Sequence, residues 1–151
     1  MATVPTRTAV DSVLRLDHQL IIGHLYALKD DTSAYECDAV EISTDPATLV
    51  GGSGLDNKIE VIKSRGGNYA DMMIGILANR RLADDINRNV EVVTHGVILG
   101  KNSSSENTIR AACLFQSASN GAITEATAYE NVRGKTYEPI EPLKYGTVFV
   151  F

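Results

Sequence analysis

The sequence predicts an all-β fold, and three observations carry that expectation. The chain has 13 Val, 12 Ile and 12 Thr, a β-branched excess that packs well on a pleated surface and loses side-chain freedom in a helix. These residues fall in short runs. Between the runs stand clusters of Gly, Asn, Asp and Ser, which tolerate turn geometry. At 151 residues the chain fits one domain, with a core large enough to need no metal or disulfide framework. The expected organisation is therefore an extended N-terminal arm at 1–10 and a single domain at 11–151.

The elements follow in chain order. Residues 1–10 carry Pro5, three Thr and Arg7, with no acid before Asp11, which suits an extended arm better than a core strand. Strands are expected at 12–16, around Val13, Leu14 and Leu16, and at 19–28, led by Leu20, Ile21 and Ile22. After a polar turn at 29–33, a strand at 37–42 contributes Ala39, Val40 and Ile42. The stretch 45–57, with Gly51, Gly52, Ser53 and Gly54, reads as a long loop. Strand 58–63 alternates charged and apolar residues, and 64–68 is a turn.

Residues 69–89 admit two readings. A buried strand at 70–77 followed by a loop at 79–89 is the preferred one. A helix is the alternative, because Ala70, Met73, Ile74, Leu77, Ala83 and Ile86 could share one helical stripe. Gly75 and Asn79 interrupt that stripe at its centre. Further strands are expected at 90–94, 97–99 and 111–116, separated by a loop at 101–107, with turn residues at 117–121. A weaker strand near 137–140 precedes the last one, 146–151.

Charge and composition narrow the function. The net charge of −5 and the lack of any basic cluster longer than Arg80–Arg81 argue against nucleic-acid binding, which needs clustered cations against phosphates. The opening residues lack a charged n-region and an apolar h-region. The longest near-apolar run, 20–28, contains His24 and is too short to span a bilayer. We expect no membrane partner and a soluble protein made in a reducing cytoplasm. Cys37 and Cys113 stand 76 positions apart without CxxC spacing, and so read as small buried apolar side chains rather than as a disulfide.

A search for reaction chemistry returns little. His18, His24 and His95 are the only histidines. Six positions separate the first two, roughly 20 Å on an extended chain, too far to share one ion. His95, before Gly96, reads as a turn residue or a half-buried strand residue. The Gly51-Gly52-Ser53-Gly54-Leu55 stretch lacks the closing glycine of a nucleophile elbow and the Lys-Ser/Thr of a phosphate loop. Asp30-Asp31 and Asp84-Asp85 are adjacent pairs whose side chains point opposite ways on an extended chain, so they read as solvated turns. The six tyrosines are spread along the chain as core and strand-edge fillers, not as a stacking platform. The expectation is a protein without catalytic residues, metal or cofactor.

One constellation stands out. It runs through Ile74-Gly75-Ile76-Leu77, then Val90-Glu91-Val92-Val93-Thr94-His95-Gly96-Val97, then Cys113-Leu114-Phe115-Gln116-Ser117 and Asn120-Gly121-Ala122-Ile123-Thr124. It ends in Gly146-Thr147-Val148-Phe149-Val150-Phe151. This order of glycines and alternating runs resembles the capsid decoration, or cement, proteins of tailed bacteriophages. Leu16 to Gly23 would correspond to that family's opening strands. The chain departs from the pattern in the insert 45–57, in the loop 101–107, and in Asp85 to Asn89, which stands where the family has a tripeptide with a central glycine before the Val90 strand.

The resemblance implies a small β-barrel or β-tulip-like domain that binds the outside of assembled major capsid protein. It also implies a homotrimer in the virion that reinforces the shell without catalysis. In that setting the arm residues Thr3, Val4, Pro5, Thr6, Arg7 and Thr8 are the expected partner contacts, since an extended segment can order on binding. Two other readings stay open: a tail or head-completion subunit, and a small barrel enzyme or ligand-binding domain in which His95 and Asp84/Asp85 converge on a pocket.

Overall fold

The computed structural model describes residues 26–28, 33–43, 49–50, 58–78 and 89–151. Among them the chain is all-β, as its composition predicts, with twelve strands and three short 3₁₀ segments. The first sheet holds β1 (Tyr26–Leu28), β2 (Ala39–Ile42), β3 (Leu49–Val50), β4 (Lys58–Lys63), β5 (Met73–Leu77), β6 (Asn89–Val90) and β7 (Val92–Val93). Its order is β6-β1-β4-β2-β5-β7, with β3 on the side of β4. The β1–β4 pair is parallel and the others are antiparallel.

The two ends of that order, β6 and β7, are separated in sequence by Glu91 alone. The sheet therefore curls until both of its ends lie on one stretch of chain. Leu28, Val40, Val61, Leu77, Val90 and Val92 fill the inside of the curl. Their immediate neighbours Ala39, Ile76 and Val93 belong to a second apolar cluster shared with the other sheet, as the two-residue period of a strand requires. Each such buried aliphatic side chain stabilises the fold by roughly 1.5–3 kcal/mol over its exposed state.

The second sheet holds β8 (Gly96–Lys101), β9 (Leu114–Ser117), β10 (Ile123–Glu125), β11 (Gly134–Thr136) and β12 (Tyr145–Val150), in the order β10-β9-β11-β12-β8. Here too the ends approach each other. Asn102, just past β8, makes a parallel bridge with Ile123 of β10, and the Ser103 amide donates to the Ile123 carbonyl at 2.9 Å. Ile98, Phe115, Ile123, Val148 and Val150 pack in this core, joined by Ile109 and Ile140, which pair with each other as an isolated bridge. A Cβ on Gly134 would stand 2.1 Å from the Phe149 carbonyl and 2.4 Å from the Phe115 ring. Only glycine fits where β11 crosses that ring.

Polar side chains tie the two sheets together. The Arg133 guanidinium donates to the carbonyls of Met73 at 3.0 Å, Glu130 at 2.9 Å, Val132 at 2.8 Å, and Asp71. It thereby clamps the 3₁₀ segment Gly67–Met72 to the one at Tyr129–Asn131. The Ser64 hydroxyl donates to the Ala118 carbonyl at 2.9 Å, and the Gly121 amide to the Ser64 carbonyl at 3.1 Å.

The described strands form two curled sheets, the ends of each brought together within the chain. Several expectations are corrected. The strand expected at 70–77 begins only at Met73, because Gly66 and Gly67 take positive φ and start a 3₁₀ turn. Met73–Leu77 is extended, so this part of the alternative helix is absent. The strand expected from 37 starts at Ala39, after Cys37 at φ 74°, and the one expected from 111 starts at Leu114, after Ala112 at φ 55°. The weak strand near 137–140 is displaced to β11, while Ile140 keeps a single bridge. β3 and β10 were not expected. The arm at 1–10, the strand at 12–16, the first part of 19–28 and most of the loop 79–89 lie outside the described residues.

Candidate interaction surface

The register of the second sheet assembles an apolar outer face. Leu114 pairs with Lys135, Lys135 with Phe149, and Phe149 with Val97, so one row crosses β9, β11 and β12 and ends on the buried Val97 of β8. Because Phe115, Gly134, Val148 and Val150 are buried, alternation turns Leu114, Lys135 and Phe149 to the other side. Leu114 is 40%, Tyr137 59% and Phe151 53% exposed, and Tyr129, close by in sequence, is 88% exposed. Exposed apolar side chains gathered on one side of a small domain are the kind of surface that marks a contact.

Within the face lies a groove of about 400 Å³ lined by Ala112, Lys135, Thr136, Tyr137, Phe149 and Phe151. Its walls are fixed. The Thr136 hydroxyl donates to the Arg110 carbonyl at 2.7 Å and accepts from the Cys113 amide at 3.0 Å, which holds the Ala112 turn beside β11. The Tyr137 amide donates to the Thr147 carbonyl at 3.0 Å. Phe149 is braced by His95, edge-on at 5.0 Å, and by Phe151 at 6.1 Å. Lys135 is the only charged residue lining the groove, and no carboxylate among the described residues pairs with it.

A second, polar groove of about 540 Å³ runs past Asn102, Ser104, Thr108, Arg110, Glu125 and Thr127. Its charges are already matched. Arg110 donates Nε to Glu125 Oε1 and Nη2 to Oε2, both at 3.1 Å, and adds its backbone amide to Oε1. These bonds pull the Glu125 carboxyl down to about 2. Burial raises the neighbouring Cys113 thiol above its ordinary value, which favours the protonated, slowly reacting form. Matched ions beside a protonated thiol make a structural ion pair, not an activated nucleophile.

The residues singled out from the sequence are distributed as follows. His95 is half-buried in a bridge position against Phe149, as expected. Cys37 and Cys113 are both free thiols; Cys37 is buried and its pKa is pushed up to about 12, chiefly by burial. Cys113 is only partly buried, a correction to its expected place in the core. The tyrosines are corrected too, since Tyr35, Tyr69, Tyr129 and Tyr137 are exposed rather than core fillers. The arm residues Thr3, Val4, Pro5, Thr6, Arg7 and Thr8 lie outside the described residues, with His18, His24, Asp30, Asp31, Ser53, Asp84 and Asp85. Among the described residues no group of three or more His, Cys, Asp or Glu is placed to hold a metal ion. No helix there is long and apolar enough to cross a membrane.

Sequence reasoning missed the face itself. Its residues come from three strands and a turn, and only strand register brings them together. Compared with known proteins, the chain matches no family model and no curated protein sequence.

Proposed function

We propose that this chain is a structural virion protein that binds the outer surface of an assembled bacteriophage capsid and stabilises it. The observation that carries the reading is the apolar face on which Leu114, Tyr137 and Phe151 are exposed around the half-buried Phe149, on a sheet whose sequence resembles the decoration proteins. Rigid strands present the face, and its groove is braced by backbone hydrogen bonds, which lowers the ordering cost of binding a large flat partner. Major capsid protein is the partner, three copies meet on the shell, and the arm at 1–10 adds a second contact. On this reading the chain performs no catalysis and needs no cofactor.

Electron microscopy of the parent particle tests the proposal. The expected result is density for this chain on the shell exterior, in register with the capsomers. A particle that lacks the chain, or carries it in the tail, overturns it. Deleting residues 1–10 tests the arm separately: the β-sheet spectrum should persist while occupancy on the shell falls, and full occupancy of the deleted form removes the arm from the contact.

A further inference from the structure

We infer that the groove over β11 and β12 receives a segment of the partner protein that carries one carboxylate between apolar side chains, with the carboxylate seated on Lys135. The inference deepens the shell-binding reading and rests on it for the identity of the partner. Lys135 stands in the middle of the face, between Leu114 on one side and Phe149 on the other. It is the only charged side chain lining a groove otherwise made of Ala112, Thr136, Tyr137, Phe149 and Phe151. A lone ammonium ringed by apolar surface loses water when the face is covered, so an occupant must replace that water with a negative acceptor. Glu138 does not line the groove, and its carboxylate accepts the Thr147 amide at 2.8 Å.

Two other occupants fit the charge poorly. A second copy docking this face on itself by two-fold symmetry would bring the central Lys135 of each copy together, with no acidic side chain lining the groove to separate them. The chain's own residues 1–10 contain Arg7 and no acid, so they would add a cation to a site that has one already. A foreign segment with a carboxylate supplies both what the ammonium lacks and what the aromatic walls bury.

Selection from a random heptapeptide library against the full chain tests this directly. The expected outcome is enrichment of peptides with one Asp or Glu flanked by Leu, Ile, Val or aromatic residues. On Lys135→Glu, which changes an exposed side chain and should keep the β-sheet spectrum, the enriched peptides should carry Lys or Arg in that place. On Tyr137→Ala/Phe151→Ala the enrichment should be lost. Enrichment without an acid, the same peptides on Lys135→Glu, or no enrichment at all overturns the inference. So does a dimer of the intact chain in sedimentation that Lys135→Glu disperses, since the occupant is then a second copy. The two readings fail separately. A chain seated on the shell whose Lys135→Glu form keeps full occupancy, where a loss of tenfold or more is expected, refutes the groove and leaves the shell reading. A chain absent from the particle whose groove still selects acidic peptides refutes the shell reading and leaves the groove.

Discussion

Arg65 holds the buried carboxylate of Glu41 at two points: its backbone amide donates to Oε2 at 2.9 Å and its Nε to Oε1. Glu41 lies in β2 with no solvent exposure, while the guanidinium of Arg65 stacks 3.5 Å over the Tyr69 ring. The pair thus ties the first sheet to the start of the 3₁₀ segment.

Glu41→Ala should destabilise the protein by about 1–3 kcal/mol, because it leaves the Arg65 amide without its acceptor while the guanidinium, a third exposed, can turn to water. Urea denaturation measures it as a lower midpoint at unchanged slope. A midpoint equal to that of the parent protein would mean that the pair contributes nothing net.

Two glycines should respond in opposite ways. Gly134→Ala forces a methyl group into the Phe149 carbonyl and the Phe115 ring, and should cost at least 1–3 kcal/mol, or about as much as overpacking a core. Gly67→Ala meets nothing within 4 Å but sits at φ 54°, so only the left-handed backbone penalty of about 1–2 kcal/mol applies. Thermal melts of both variants should rank Gly134→Ala as the less stable, and the reverse order contradicts the close approach of β11 to the ring.

The thiols should react in sequence. Cys37 is 1% exposed and its pKa is pushed up to about 12, so a thiol reagent at pH 8 should leave it untouched in the folded protein. Cys113, partly buried and also shifted upward, should react slowly. Mass spectrometry should find at most one label per folded chain and two after unfolding. Fast labelling of Cys37 in the folded state would contradict its burial.

Acid should weaken the Arg110–Glu125 pair within a defined window. The folded Glu125 carboxyl is lowered from 4.5 to about 2, chiefly by its hydrogen bonds to Arg110. A lowered folded value means that the unfolded chain takes up the proton first as pH falls, so the pair's contribution is present above about 4.5 and lost towards 2. The effect is small, because solvent screens a pair whose arginine side chain is 79% exposed. Melting temperatures of the parent and Glu125→Gln should differ most above pH 5 and converge near pH 2; a gap that widens on acidification contradicts the assignment.

Much of the fold was legible because alternation is a local signal. The strand expected at 58–63 has those same bounds, and the closing strand is displaced by one residue. Errors gather where backbone conformation departs from what the side chain advertises. Cys37 and Ala112 take positive φ, where Gly or Asn is the usual marker, so both strands were started too early. β11 is displaced from the strand expected near 137–140 because Gly-Lys-Thr offers little apolar content; its place is set by the partners on either side. The candidate face was the least legible part. Leu114, Lys135 and Phe149 are spread over 36 positions of sequence, and each alone is an ordinary strand residue until register lines them up.

The closure of β6 onto β7 through Glu91, and of β8 onto β10 through Asn102 and Ile123, bears on how copies behave when crowded. An unpaired sheet edge is a template on which another chain can polymerise. Among the described strands, the ends of both sheets meet within the same molecule, and β3 is only two residues long. Among the described strands backbone hydrogen bonding is thus largely spent internally, which leaves those sheets little edge on which a neighbouring copy could add a strand.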